Sequence, residues 1–149
     1  MNDPMDENSI PVKVEKLQLS TLFYLKPRTR HAGRELVIGY DERFPLQPGF
    51  KNRYSYVVRF KEAGNTAGNH YHKDKAEIML PLAGEFEIKA EDITTKQREQ
   101  FLINAADNIA FYVPAGISHS IKCLTKSGLL LVTASTAGQE SDTFRYVIE

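Results

Sequence analysis

Apolar residues recur at every second position through most of this chain, and stretches with helical spacing are scarce. VKVEKLQL (12–19) places Val12 and Val14 in one phase and Leu17 and Leu19 in the other, which predicts a strand with a bulge or bend. RELVIGY (34–40) and YSYVVRFK (54–61) read as further strands, separated by DERFPLQPGFKN, whose two prolines and Gly49 mark a loop. AEIMLPL (76–82), GEFEIKA (84–90), REQFLIN (98–104), NIAFYVP (108–114), SHSIKCL (118–124), SGLLLVTAS (127–135) and TFRYVI (143–148) continue the series. Roughly ten short strands with Gly/Pro turns between them predict an all-β sandwich or barrel.

The alternation also assigns faces. Glu85, Glu87, Lys89 and Glu91 lie opposite Phe86 and Ile88 and read as a solvated strand face. Tyr54 and Tyr56 share a face with Val58 and Phe60, as expected for core or dimer packing. Arg53, Ser55, Val57 and Arg59 take the other face; if it lines a barrel mouth, Arg59 is placed to hold an anionic group such as phosphate.

At 149 residues the chain is long enough for one domain with its own core, so residues 12–149 are expected to form it and 1–11 a loose tail. Nineteen basic and nineteen acidic side chains cancel, which argues against nucleic acid or anionic membrane as a partner. The single cysteine, Cys123, excludes an internal disulfide and a Cys-rich zinc site, and reads as a small buried hydrophobe. The acidic start MNDPMDENSIPVK and the lack of an apolar run near ~18 residues lead us to expect a cytoplasmic, soluble protein.

The chemistry concentrates in GNHYHKDKAE (68–77), in a chain with four histidines. Two histidines alone also suit a polar surface loop. On a strand, however, side chains at i and i+2 share a face, so His70 and His72 can meet one ion while Tyr71 turns away. The short KDKA linker brings Glu77 back toward the same interior, and the Pro114-Ala115-Gly116 turn can aim a fourth donor, His119, inward. His31, in PRTRHAGRE, reads as a solvated loop residue.

These residues resemble the cupins. In the first cupin motif, G-x5-H-x-H-x4-E-x6-G, Gly64, His70, His72, Glu77 and Gly84 fill every fixed position. In the second, G-x5-P-x-G-x2-H-x3-N, Pro114, Gly116 and His119 match, while Asn108 and Cys123 replace the outer glycine and asparagine. Asn108 tolerates the left-handed backbone that glycine would supply. The resemblance implies a double-stranded β-helix (a jelly-roll barrel, RmlC-like); residues 12–40, outside the motifs, hold two or three strands that one small barrel does not need, expected as an N-terminal strand extension that lengthens the sheet or pairs across a two-fold axis. It implies one divalent metal per chain on His70, His72, Glu77 and His119, with Zn favoured over Fe, Mn or Ni.

GNHYHKDKAEIMLPLAGEFEIK, NIAFYVPAGISHSI and LLLVTASTAGQESDTFRYVI are similar to the cupin domains of bacterial surface-polysaccharide synthesis, including sugar-nucleotide ketoisomerases and 3,5-epimerases. The implied reaction is proton abstraction beside a ketone on a nucleotide-linked sugar, in a homodimer. With the histidines read as ligands the base is unassigned; Tyr56, Tyr112 and Glu77 are candidates, beside Arg59 for binding. An iron-dependent dioxygenase and a non-catalytic sugar-binding protein are the alternatives.

Overall fold

The computed structural model describes residues 11–138 and 140–148, without the side chains of 28–31 and 140. The expected tail thus lies almost wholly outside the described residues, as does the side chain of His31, whose backbone belongs to a strand. Among the described residues thirteen strands follow one another: β1 (Lys13–Lys16), β2 (Thr21–Tyr24), β3 (Arg28–His31), β4 (Arg34–Leu36), β5 (Tyr54–Phe60), β6 (Thr66–Tyr71), β7 (Glu77–Ala83), β8 (Glu85–Asp92), β9 (Arg98–Asn104), β10 (Ile109–Val113), β11 (Ile117–Cys123), β12 (Gly128–Ala134) and β13 (Phe144–Arg145). No α-helix occurs among the described residues, and no helix is long and apolar enough to cross a membrane.

A six-stranded sheet, β1-β2-β10-β7-β12-β5, faces a five-stranded sheet, β13-β6-β11-β8-β9, with every pairing antiparallel. Phe60, Met79, Phe86, Ile88, Phe111, Ile121, Leu130 and Val132 fill the space between them. Their alternation along each strand is the period-two pattern of the sequence, and their burial is the main stabilising term of the fold. The fold is the expected all-β cupin barrel.

A second apolar layer explains the one run that does not alternate. EIMLP, the first five residues of β7, is buried on both faces: Met79 points into the barrel, while Ile78 and Leu80 point out and are covered by Phe50, with Val37, Tyr40 and Leu46 packed alongside. RELVIGY accordingly forms a strand only over Arg34–Leu36, because Val37 and Tyr40 cover that outer face instead. The phase change in VKVEKLQL is a turn, closed by Leu17 N–H on the Ser20 carbonyl at 2.9 Å, and β1 and β2 extend the six-stranded sheet beyond β10.

Two departures occur in the five-stranded sheet. Glu91 is buried under Tyr146 and Arg98, whose hydrogen bonds, that of Tyr146 foremost, hold its carboxyl below the usual range; it is not part of a solvated face. TFRYVI forms a strand only over Phe144–Arg145, with Tyr146 N–H adding one further bond to the Asn69 carbonyl of β6 at 2.9 Å, and Ile148 is buried.

Candidate functional site

The β6 strand carries the first histidine, and alternation alone would aim it the wrong way. Ala67 packs against the barrel core, so an unbroken strand would turn His70 outward. Gly68 (φ 92°) and Asn69 (φ 58°) break the period, and the β6–β11 register shifts between His119 and Ser120. This bulge returns His70 to the interior, directly opposite His119. A Cβ on Gly68 would lie 2.5 Å from the His119 carbonyl oxygen, so only glycine allows the two strands to approach. Beyond the bulge, Tyr71 faces out and stacks on Phe144 at 5.2 Å, while His72 faces in and is buried.

Glu77 enters from the opposite sheet as the first residue of β7 and is almost fully buried. Its Oε1 lies 3.1 Å from His72 Nε2 and 3.3 Å from His119 Nε2, and its Oε2 accepts a hydrogen bond from Tyr56 at 3.0 Å. Burial would raise this carboxyl, but the hydrogen bonds from His119 and His72, together with their charge, hold it well below the usual carboxylate range. Burial, and then the Glu77 charge and hydrogen bond, push the Tyr56 hydroxyl far above its ordinary value, so it stays protonated.

His70 differs from its neighbours. Its ring lies 4.8 Å from that of His72 and 4.9 Å from that of His119, yet it makes no side-chain hydrogen bond among the described residues. Burial first, then the charges of His119 and His72, pull its pKa down to about 4, leaving a neutral imidazole at physiological pH. It borders three hollows. One, about 170 Å³, runs into the barrel past Met79 and Leu130. One, about 380 Å³, is lined by Tyr54, Tyr56, His72, Lys75, Gly138 and Thr143. The third, about 420 Å³, is lined by Asn69, Thr143, Arg145 and Val147.

One residue that sequence reasoning overlooked holds this arrangement. Asp142 accepts backbone N–H groups from Lys73 at 2.8 Å, Asp74 at 3.2 Å and Lys75 at 3.0 Å, and its own carbonyl accepts Nδ1–H of His72 at 2.9 Å. It thereby fixes the spacer between His72 and Glu77. The only signal was the acidic residue in SDTF, far from the motif in sequence. The PAG turn contributes from the other side, with Gly116 N–H on the His72 carbonyl at 2.7 Å. Asn108, in the outer glycine position, does adopt φ 52°, ψ 49°. Cys123 is fully buried, its thiol against the Thr125 carbonyl at 3.3 Å.

His70, His72, Glu77 and His119 come together, with one donor atom from each lying within 4.8 Å of the others. Donors around one ion at ~2.1 Å would stand ~3.0–3.4 Å apart, a spacing that the His72–Glu77 and His119–Glu77 distances match. The tautomer fits as well. Because His72 Nδ1 donates to a carbonyl, Nε2 facing a carboxylate requires a second proton or a cation between them. The donor set therefore fits a divalent metal.

Two catalytic candidates fall elsewhere. Arg59 is exposed on the outside, because Tyr56, Val58 and Phe60 take the inner face of β5. Tyr112 also points out of the barrel, edge-on to Phe50 at 6.3 Å, where the second apolar layer covers it.

The barrel and its His/Glu mouth define an RmlC-like cupin. Residues 30–148 match the family described as FdtA: WxcM-like, C-terminal, and the chain belongs to that family. No curated protein matches. Among solved structures it is similar to a dTDP-6-deoxy-D-glucose-3,5-epimerase, RmlC, of Legionella pneumophila in complex with dTDP-4-keto-L-rhamnose. That match has TM-score 0.78 and 16% identity, and covers 89% of this chain and 76% of that one. It is also similar to a mutant of the 3,4-ketoisomerase QdtA of Thermoanaerobacterium thermosaccharolyticum in complex with TDP-4-keto-6-deoxyglucose (TM-score 0.74, 18% identity, 87% and 89% covered). A third is WlaRA, the TDP-fucose-3,4-ketoisomerase of Campylobacter jejuni (0.71, 18%, 84% and 87%). At these identities the likeness establishes the fold.

Proposed function

We propose that this protein is a sugar-nucleotide epimerase or ketoisomerase that moves a proton at a carbon beside a ketone. The observation that carries the reading is His70: a neutral imidazole without a hydrogen-bond partner among the described residues, set where three hollows meet. A base for this reaction must be unprotonated at working pH and open to substrate, and His70 meets both conditions. Tyr56, hydrogen-bonded to Glu77, lines the same hollow from the facing sheet. Glu77, His72 and His119 orient one another and keep the mouth rigid.

A nucleotide handle suits the neighbouring strand of the same sheet. Arg145 pairs directly across from His70 in the β6–β13 register and has no hydrogen-bond or ion-pair partner among the described residues. Its guanidinium is suited to grip a diphosphate in the hollow that it lines. The solved structures that the chain resembles include complexes with TDP-linked keto sugars, which supports this substrate class.

The His72 tautomer and the spacing around Glu77 favour a second reading, in which the four residues hold a divalent metal. When bound, such an ion would supply Lewis-acid polarisation of the ketone oxygen. In that state His70 is a ligand and cannot act as the base.

TDP-4-keto-6-deoxyglucose followed by proton NMR tests the proposal, the expected outcome being an epimer or a shifted ketone. An unchanged spectrum while the nucleotide binds with measurable heat would favour a binding protein. Iron together with substrate-dependent oxygen uptake would favour a dioxygenase. Elemental analysis tests the metal: stoichiometric ion lost in both His70→Ala and His119→Ala supports the four-ligand centre, and stoichiometric ion in both variants defeats it.

A further inference from the structure

The hollow of about 170 Å³ that runs into the barrel takes no part in the proposed proton transfer or in the grip on a diphosphate. It exists because β6 is thin where the facing sheet is not. Val58, Leu130 and Val132 enter from the six-stranded sheet, and before His70 the β6 strand sets only Ala67 and Gly68 against them. Ala67 pairs with Ile121 of β11, and Met79 pairs with Val132, so apolar side chains line the hollow from both sheets. Protein interiors keep few voids larger than a water molecule, and an unfilled one destabilises. Water fills this one poorly, since it needs several polar partners. The Tyr56 hydroxyl and His119 Nε2 are both engaged by Glu77, and His119 Nδ1 faces the Ile117 carbonyl at 3.4 Å. Only the His70 ring is left, at the entrance that the hollow shares with the two outer ones. An apolar space of roughly 150 Å³ holds a benzene ring, far more than one methyl group fills.

We propose that this hollow is a specificity pocket for an alkyl group at C5 of the bound sugar, and that it takes a group larger than methyl. This rests on the sugar-nucleotide reading. On a hexose ring the only carbon outside the ring is attached at C5, so that edge of the sugar can become apolar while every ring hydroxyl is kept. Ala67 sets the depth, because a longer side chain there would occupy the space itself. Each methylene buried in the pocket adds ~4-fold in affinity. A hydroxyl carried to the same depth meets no partner and forfeits that gain. Selection is therefore by polarity as well as by size. The contact is the same before and during reaction, so the pocket acts on binding rather than on the chemical step.

The test measures calorimetric binding to the full-length protein of four TDP-sugars that carry no ketone and so are not turned over. They differ only at C5: hydrogen (TDP-xylose), methyl (TDP-6-deoxyglucose), ethyl, and hydroxymethyl (TDP-glucose). Affinity is expected to rise about 4-fold from hydrogen to methyl and about 4-fold again to ethyl. Hydroxymethyl, nearly isosteric with ethyl, should bind at least ~10-fold more weakly than ethyl. In Ala67→Leu the four affinities should converge, while TDP itself, which has no hexose, binds within ~3-fold of wild type. Val58→Ile narrows the same space by one methylene and is read in the same way if Ala67→Leu fails to fold. Equal affinity for hydrogen, methyl and ethyl with TDP still bound overturns the pocket and leaves the functional reading standing. Hydroxymethyl bound as tightly as ethyl, or an unchanged order in the variant, does the same. A preference for methyl with ethyl rejected overturns the size. No binding of any TDP-sugar by the wild type brings down the functional reading and this inference together.

Discussion

The backbone carbonyl of Asp142 lies 2.9 Å from Nδ1 of His72, joining the C-terminal segment to the histidine motif across seventy residues of sequence. That hydrogen bond selects which imidazole nitrogen faces Glu77. The Asp142 side chain keeps the carbonyl in place by binding three successive N–H groups of the spacer. Asp142→Ala leaves those donors unsatisfied and is expected to cost about 2–3 kcal/mol of stability. Urea denaturation measures this, and a change below ~0.5 kcal/mol, the range of ordinary surface substitutions, would count against the role.

Gly68→Ala tests the bulge. The new Cβ meets the His119 carbonyl and the backbone holds a positive φ, so a loss of about 2–3 kcal/mol is expected. Activity should fall with it, since His70 and His119 are set opposite each other by this bulge. Thermal melting beside an activity assay checks both.

The pH dependence has a definite sign. An unfolded imidazole titrates near ~6.5, whereas His70 does so at about 4. Between those values the unfolded chain binds more protons than the folded one, so this group makes stability fall as pH drops through the window. As a base, His70 stays competent throughout it. The acid limb of kcat/KM for the metal-free protein is therefore expected nearer pH 4 than 6.5, and a limb at 6.5 would argue against His70.

Most of the barrel was legible in the sequence because its strands bury one face and expose the other. REQFLIN, running as β9 from Arg98 to Asn104, is the clearest case. Legibility failed where a second layer covers the outer face. Alternation puts Arg59 on the face opposite Tyr54 and Tyr56 without telling which side is the barrel, and Phe50 and its neighbours, which cover Tyr112, cannot be located by periodicity. The four donors are legible from their spacing, but strand alternation does not account for the direction of His70. His70 faces inward through the Gly68–Asn69 bulge, and strand alternation alone would have turned it out. Asp142 owes its place to tertiary contacts that no local pattern carries.

Strand β1 sits at the edge of its sheet with Val12 66% and Val14 49% exposed. An apolar edge of this kind suits pairing with a second copy. Light scattering is expected to give a dimer that Val12→Glu with Val14→Glu converts to monomer; an unchanged dimer would exclude this edge. Truncation through residue 30 is a poor test, because it removes the buried Leu22 and Phe23.

Solvent exchange tests the central claim most directly. Wild-type protein and His70→Asn, both stripped with a chelator, are incubated with TDP-4-keto-6-deoxyglucose in heavy water, and deuterium at the carbons flanking the ketone is read by NMR. The proposed role of His70 predicts incorporation by the wild type and a loss of at least ~10²-fold in the variant, the lower range for a positioned acid or base. No incorporation by the stripped wild type, or equal incorporation by His70→Asn, would contradict it.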